Sequence, residues 1–146
     1  MSYNNALSAY KETRIRTASP GQLIVMLYDE AVKQLDKTLE LLSLNKSSKQ
    51  DPSRIEVIGK AIMKTRDIIT ELIVSLDFEE GGEIAQNLFA LYTWFNKELL
   101  EAHIVMDIAR IGAVKNQIDE LRSAWSGIAD KTKAEGRPVE GINIAG

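Results

Sequence analysis

One histidine and two pairs of neighbouring carboxylates are the side chains of this sequence whose types and spacing could do chemistry. His103 is the sole histidine among 146 residues, so sites that need two histidines are excluded. A lone histidine on a helix surface can carry a phosphoryl group in a phosphotransfer domain. Such domains usually have a lysine and a glycine soon after the histidine, whereas this sequence continues HIVMD. Phosphotransfer through His103 therefore stays open only as the least favoured of three functional hypotheses.

The carboxylate pairs are Asp29 with Glu30 and Glu79 with Glu80, each adjacent in the chain. Neighbours on a helix point about 100° apart, while general acid–base catalysis needs carboxylates that converge on one substrate. The sequence also has no cysteine, no GxxxxGK(S/T) or GxGxxG phosphate-binding motif, and no glutamate three residues before His103, as a di-iron bundle requires. We therefore expect no enzyme, no cofactor and no metal site.

The composition predicts an ordinary globular protein of one domain, with 45% hydrophobic and 27% charged residues. The formal net charge of −3 gives no basic footprint for nucleic acid, so we expect no nucleic-acid partner. The absence of cysteine fits a reducing compartment, which makes the cytoplasm the expected location. The polar N-terminus lacks the apolar region of a signal peptide, and no apolar run is long enough to span a bilayer, so membrane insertion is not expected.

Four long segments place apolar side chains three and four residues apart, which is the spacing of an amphipathic α-helix. Ser19 followed by Pro20 predicts the start of the first helix, with Ser19 as N-cap and Gln22 completing a capping box. An Asp-Pro pair beginning at Asp51 predicts the second start, and Asp107 predicts the fourth. These start signals divide the middle of the chain into helices rather than strands.

The third helix is expected to begin after DFEEGGE, where Gly81 and Gly82 can supply positive φ and Glu83 lies at the positive end of the helix dipole. Short connections between the helices favour an all-α, antiparallel up-down four-helix bundle. The predicted core stripes are Ile24, Leu27, Ala31, Leu35, Thr38 and Leu42; Ile55, Ile58, Ile62, Thr65, Ile69, Leu72 and Leu76; Ile84, Leu88, Leu91, Tyr92, Phe95, Leu99, Ala102 and Met106; and Ile111, Val114, Ile118, Leu121, Trp125 and Ile128.

The chain is thus expected to have three parts: an N-terminal cap segment over residues 1–18, the bundle over 19–133, and a flexible tail over 134–146. The first part can form a short extra helix that docks weakly, because its large apolar groups are few. They are Leu7, Tyr10 and Ile15. The tail has no apolar period.

The third helix has a second apolar row about 120° from its core stripe. Phe89, Leu100 and Ile104 form this row, with Thr93 and Asn96 between them. A helix in a bundle touches two neighbours, so a wide stripe can be core; an open row would instead be a groove for a partner segment. The other helices have shorter flanking rows, Val25, Val32 and Leu39 in the first and Val57, Ala61 and Ile68 in the second.

Three motifs in order along the chain resemble the flagellin-specific secretion chaperones of bacteria. TASPGQLIVMLYDEA, beginning at Thr17, is similar to the family's T-A-S-P-x-x-L-x-x-M-L-Y-D-G-A, and LDFEEGGEIAQNLFALY is similar to L-D-x-x-x-G-G-x-I-A-x-N-L-x-x-L-Y. The third is LRSAW, ending at Trp125. The sequence departs from the family at Glu30, where glycine is usual, at Leu7, which takes a tyrosine position, and at His103, where asparagine is usual.

The resemblance implies a cytoplasmic export chaperone that binds the disordered C-terminal segment of flagellin in hydrophobic grooves, with its own N-terminus rearranging to admit it. Helical geometry and the resemblance together predict the groove and cap residues. A possible homodimer and contact with the flagellar export apparatus stay open, and the rival to the chaperone is a homo-oligomerising bundle without a client. The predicted groove residues are Val25, Tyr28, Val32, Phe89, Leu100 and Ile104, and the predicted cap residues are Leu7, Tyr10 and Ile15.

Overall fold

The computed structural model describes residues 20–47 and 51–134 of the chain, with side chains described for residues 21–46 and 51–128. This part folds into four helices without a strand: α1 (Pro20–Ser47), α2 (Pro52–Val74), α3 (Phe78–Ile104) and α4 (Ile108–Ala134). The predicted cap segment, the Ser19 N-cap and the end of the tail lie outside the described residues. The all-α bundle predicted from the apolar spacing is confirmed.

Aspartates cap three of the four helices. The Asp51 carboxylate accepts a hydrogen bond from the backbone N–H of Ser53 at 2.9 Å, and Asp107 accepts from that of Arg110 at 3.1 Å, so both predicted starts are confirmed. Asp77 caps a first turn ahead of the glycines, which the sequence did not predict, and accepts from Glu79 N–H and Glu80 N–H at 3.0 Å each. The longer helix beyond the non-helical Gly82 begins where the third helix was predicted to begin.

The glycine pair instead produces a break within α3. Gly82 has φ 51° and ψ −127°, a conformation that side chains with a Cβ adopt at a cost, while Gly81 does not have positive φ. The first turn of α3, from Phe78, is therefore set at an angle to the rest of the helix. The expectation that both glycines supply positive φ is corrected to Gly82 alone.

A left-handed residue ends α3. Met106 has φ 53°, the backbone N–H of Asp107 donates to the Ala102 carbonyl at 2.9 Å, and that of Met106 donates to the His103 carbonyl at 3.1 Å. This is the Schellman pattern of hydrogen bonds, here with methionine at the position that glycine usually takes. Met106 was predicted as the last core position of the helix; it lies in the turn, although its side chain still packs against the core.

Each helix packs against the helices before and after it, and α4 closes the bundle against α1. Because the connections are short, neighbouring helices run antiparallel. The predicted stripe of α1 is buried along its whole length, and most of the stripe residues in the middle of the other three helices are buried too. Leu88, Leu91 and Leu121 are half-buried and pack against the core. Three predicted core residues are exposed, and each lies toward an end of its helix rather than in its middle. They are Ile55, Ile84 and Ile128.

Polar contacts between helices complement the core at each seam. Arg110 of α4 donates to both oxygens of Glu98 of α3 at 2.8 and 2.6 Å. The pKa of Glu98 is lowered and that of Arg110 is raised, because each side chain stabilises the charge of the other. Other links are Lys115 to Asp36 and Arg122 to Asp29 between α4 and α1, Arg54 to Asn45 between α2 and α1, and Asn96 to Thr70 between α3 and α2.

Candidate interaction surface

The second apolar row of α3 lies on the surface. Phe89 is 44% exposed, Leu100 42% and Ile104 73%, although all three are large hydrophobic side chains. Exposed apolar side chains that align along one helix face mark a site of association more than scattered ones do. The row is therefore not part of a widened core, which was one of the two interpretations that the sequence allowed.

The row borders the seam between α3 and α2, and two contacts fix how those helices are aligned. The Asn96 side-chain amide donates to the Thr70 hydroxyl at 3.3 Å, and the His103 ring lies close to Gly59, where an added Cβ would meet it at 3.7 Å. The imidazole therefore packs beside Gly59 of α2 at ordinary van der Waals distance. In antiparallel helices these two contacts place residue 63 near residue 100, and residue 74 near residue 89.

A matching row on α2 runs along the other side of the same seam. Its residues are seven and then four positions apart, which keeps them on one face of the helix; they are Met63, Thr70 and Val74. The row of α3 has the same spacing in Phe89, Asn96 and Leu100. Met63 is 54% exposed and Val74 75% exposed. Along the seam, Val74 lies at the level of Phe89 and Met63 at the level of Leu100.

Phe78 completes the apolar group at the end where α2 turns into α3. Its ring meets that of Phe89 edge to face, with centroids 5.8 Å apart, and both rings are about half exposed. The break at Gly82 makes this contact possible because it redirects the first turn of α3, which carries Phe78. We call the whole strip the α2–α3 surface; it comprises Met63, Val74, Phe78, Phe89, Leu100 and Ile104.

A polar step, formed by the side chains of Asn96 and Thr70, divides this surface into two apolar clusters. Asn96 and Thr70 lie between Phe89 with Val74 on one side and Leu100 with Met63 on the other. Only the amide nitrogen of Asn96 is paired among the described residues, since its buried Oδ1 has no hydrogen-bond partner there. Eleven residues of helix, about 16 Å at the usual rise, separate Phe89 from Leu100.

The groove residues predicted on α1 do not join this surface. Val25 and Val32 are half-buried and pack against the core, on the side of α1 that faces α4. Tyr28 is fully buried, which conflicts with its predicted place in a groove. The sequence could not separate these cases, because all three sit beside the core stripe at a helical spacing that core and groove residues share.

Tyr28 instead belongs to a polar network in the centre of the bundle. Its hydroxyl hydrogen-bonds the Tyr92 hydroxyl of α3 and also takes part in a hydrogen bond with the Trp125 side chain of α4. The indole N–H can only donate, so the Tyr28 oxygen accepts it, and either hydroxyl can be the donor between Tyr28 and Tyr92. Burial raises the pKa of Tyr28 and raises that of Tyr92 to about 12, so both stay neutral.

The flanking residues predicted on α2 also lie in the core or beside it. Ala61 and Ile68, predicted as a side row, are buried in the core, and Val57 is half-buried. Met63, Val74 and Phe78 were not predicted from the sequence as surface residues of this group. A usable signal existed for the first two, since Met63, Thr70 and Val74 repeat the spacing of the α3 row; Phe78 required the break at Gly82.

Within residues 20–47 and 51–134, no three histidine or carboxylate side chains gather as a metal site would need. Across the same ranges, none of the helices combines the length and apolarity required to cross a bilayer. The predicted cap residues Leu7, Tyr10 and Ile15 lie outside the described part of the chain. What the geometry offers is therefore an elongated apolar surface with one polar step.

Comparison with known proteins gives consistent matches over most of the chain. The family model described as flagellar protein FliS matches residues 3–132. The chain is 34% identical to the flagellar secretion chaperone FliS of Salmonella typhimurium over 121 residues, covering 82% of this chain and 84% of that protein. It is 33% identical to that of Campylobacter jejuni over 125 residues, covering 86% and 91%, and 24% identical to that of Bacillus subtilis over 125 residues, covering 86% of each.

Proposed function

The chain belongs to the flagellar protein FliS family, and on that premise we propose that it is a cytoplasmic export chaperone for flagellin. It would bind the disordered C-terminal segment of flagellin along the α2–α3 surface, preventing premature polymerisation and keeping that segment competent for export. The observation that carries this proposal is the pair of facing apolar rows, which expose large hydrophobic side chains along a continuous seam.

The surface has the dimensions of a segment rather than of a folded partner. α3 is 27 residues long, which is about 40 Å. A helix or an extended stretch laid along the seam would place one apolar group on Phe89 and Val74 and another on Leu100 and Met63, with polar atoms over Asn96. We therefore expect the bound segment to have two apolar clusters about 16 Å apart with a polar position between them.

Binding is stoichiometric and needs no nucleotide. Ordering a disordered segment costs roughly 2–5 kcal/mol. Completing the burial of one half-exposed Leu or Phe contributes about 1 kcal/mol, as half of the value for full burial. The six side chains of the α2–α3 surface, together with the groups they meet on the client, offset that cost. Covering the adhesive end of flagellin in this way replaces self-association of flagellin with binding to the chaperone.

The earlier groove set is revised for this proposal. Phe89, Leu100 and Ile104 stay in it, Met63, Val74 and Phe78 are added, and Val25 and Val32 are kept only as flanking residues of the α1–α4 seam. Tyr28 is assigned to the core. Leu7, Tyr10 and Ile15 remain the proposed cap that leaves when flagellin binds, and contact with the export apparatus remains part of the proposal.

Co-purification with the flagellin C-terminal segment tests this proposal. Leu100→Asp and Met63→Lys, on the two sides of the seam, should each remove most of the bound flagellin, because each places a charge in an apolar contact. Ile84→Asp is the matched control: Ile84 is exposed on the same helix but lies about 140° around it from Phe89, so binding should persist. Circular dichroism should show unchanged helix content in all three variants.

Two results would contradict the proposal. Undiminished binding by both Leu100→Asp and Met63→Lys would remove the α2–α3 surface from the site. Light scattering that shows a stable homodimer, dissociated by the same two substitutions and unaffected by the flagellin segment, would assign the surface to self-association instead.

A further inference from the structure

A depression at one end of the bundle lies apart from the α2–α3 surface. It forms where α1 ends, α2 begins and the turn after α3 leads into α4, and its volume is about 220 Å³. Its walls are Leu42, Asn45, Lys46, Ile55, Met106 and Ile108. None of these residues belongs to the α2–α3 surface or to the predicted groove and cap.

Most of the lining is apolar, and its size suits one large side chain. An apolar cavity of about 150 Å³ holds a molecule such as benzene, so about 220 Å³ accommodates a leucine-sized group with room for the backbone beside it. The left-handed conformation of Met106 holds its side chain on this wall, and Ile55 is left 39% exposed by the same opening. The shape therefore favours an aliphatic group.

Asn45 adds a polar requirement to this apolar site. It is only 8% exposed, and its Oδ1 accepts a hydrogen bond from Nη1 of Arg54 at 3.0 Å. Its Nδ2 is buried and has no hydrogen-bond partner among the described residues. Buried polar groups normally have partners, and an unpaired donor costs free energy. A ligand that brings an oxygen acceptor to Asn45 would satisfy it, with a small shift of the amide toward the opening.

Lys46 favours an acceptor that carries a negative charge. It is exposed at the rim and forms no ion pair with a described residue, whereas the arginines at 110 and 122 and the lysines at 60 and 115 do. A charge-assisted hydrogen bond to an anionic oxygen is stronger than one to a neutral carbonyl. The combination of an aliphatic pocket, an amide donor and an ammonium group matches a terminal carboxylate attached to an aliphatic residue.

We propose that this depression binds the free C-terminal end of a partner polypeptide whose last residue is aliphatic. The aliphatic side chain lies among Leu42, Ile55 and Ile108, one carboxylate oxygen accepts from Asn45 Nδ2, and Lys46 neutralises the charge. This site is independent of flagellin binding along the α2–α3 surface, and variants of one leave the other intact.

The test is an NMR titration of the full-length protein with three peptides. They are acetyl-Gly-Ser-Gly-Leu with a free carboxylate, the same peptide with a terminal amide, and the free acid ending in alanine. The first should shift the Asn45 side-chain amide and the methyl groups of Ile55 and Ile108 in a saturable way. The amide should bind about ten-fold more weakly, because it lacks the charged acceptor, and the alanine peptide should give no saturable shift.

Two variants separate the contributions of Asn45 and Lys46. Asn45→Asp keeps the acceptor for Arg54 but loses the donor and adds a like charge, so it should abolish binding of the free acid. Lys46→Gln, at an exposed position, should weaken the free acid alone and bring it close to the amide. Backbone amide spectra outside the depression should be unchanged in both.

Three results would overturn the proposal. The first is no saturable shift with the free-acid peptide at concentrations up to about 10 mM, well above the range of weak specific binding. The second is equal affinity for the acid and the amide, which would mean that an internal segment rather than a chain end occupies the site. The third is full binding by a folded Asn45→Asp protein.

Discussion

The hydroxyl groups of Tyr28 and Tyr92 hydrogen-bond each other in the centre of the bundle and join α1 to α3, which share no extensive packing. Removing one hydroxyl leaves the other without its partner in a buried place, whereas removing both leaves only the Trp125 indole N–H without the acceptor that Tyr28 provided. Tyr28→Phe should therefore lower the free energy of unfolding by about 1–3 kcal/mol. The double variant with Tyr92→Phe should lose less than the sum of the single variants.

Urea unfolding of the four proteins in this cycle measures the coupling. Flagellin binding by folded Tyr28→Phe should match that of the unchanged protein, because Tyr28 has no exposed surface. Additive losses would mean that the two hydroxyls do not depend on each other. Lost flagellin binding with intact stability would return Tyr28 to the groove.

The same pair makes the bundle sensitive to alkali. Burial raises the pKa of Tyr92 to about 12, and burial together with the neighbouring Tyr92 raises that of Tyr28 above its ordinary value. Above pH 10 the unfolded chain loses tyrosine protons that the folded chain keeps, so stability present below pH 10 is lost as the pH rises toward 12. Each tyrosine contributes a slope of about 1.4 kcal/mol per pH unit.

Urea midpoints between about pH 9 and pH 11.5 test this slope, since the ordinary tyrosine pKa lies in that interval. The Tyr28→Phe, Tyr92→Phe double variant is the control because lysine titration affects it equally. Its midpoint should fall less steeply with pH than that of the unchanged protein. Parallel curves would show that the two phenols ionise as they do in the unfolded chain.

Two glycines should respond to alanine with opposite signs. Gly82 has φ 51° and open space around it, so the cost of Gly82→Ala comes from the backbone conformation and should be about 1–3 kcal/mol. Gly112 lies inside α4 without positive φ and also faces open space, so Gly112→Ala should stabilise by about 0.5–1 kcal/mol. Thermal unfolding of both variants compares the two changes directly.

Gly82→Ala carries a second expectation, because the break it supports brings Phe78 to Phe89. A straightened first turn would separate these rings and weaken flagellin binding at that end of the α2–α3 surface. Gly112→Ala should leave binding unchanged. Stabilisation by Gly82→Ala would show that residue 82 adopts an ordinary helical conformation in solution.

The bundle could be predicted from the sequence because core burial repeats with the helical period. The stripe from Ile24 to Leu42 needed no knowledge of its neighbours, and the side chains of Asp51 and Asp107 cap helices through contacts within three residues. The short first turn of α3 ahead of Gly82 was not predicted. Asp77 caps this turn, and the turn packs on the rest of α3 through the contact of Phe78 with Phe89.

The candidate surface could be predicted only in part. A flanking residue is core or surface according to how closely the next helix approaches, and the sequence does not contain that distance. Ile68 and Leu100 both flank a core stripe, yet Ile68 is fully buried, whereas α3 packs less extensively on its neighbours and leaves Leu100 open. The role of Met63 required the register set by Asn96 and Thr70.

The proposed N-terminal cap should compete with flagellin for the α2–α3 surface. If Leu7, Tyr10 and Ile15 cover the surface in most free molecules, the observed affinity is reduced by the fraction of molecules that are open. Replacing all three with serine should raise the affinity for the flagellin C-terminal segment about three- to ten-fold, as expected when the open fraction rises from between a tenth and a third to nearly all.

Calorimetric titration measures this affinity, and the triple variant combined with Leu100→Asp is the control. That combined protein should bind poorly despite its open surface, because the charge at residue 100 acts on the site itself and the cap acts only on access. An unchanged or weaker affinity in the triple variant would mean that the three residues do not compete for the surface. In that case they would either contact flagellin directly or lie elsewhere on the bundle, and the bound segment would have to find the α2–α3 surface already open.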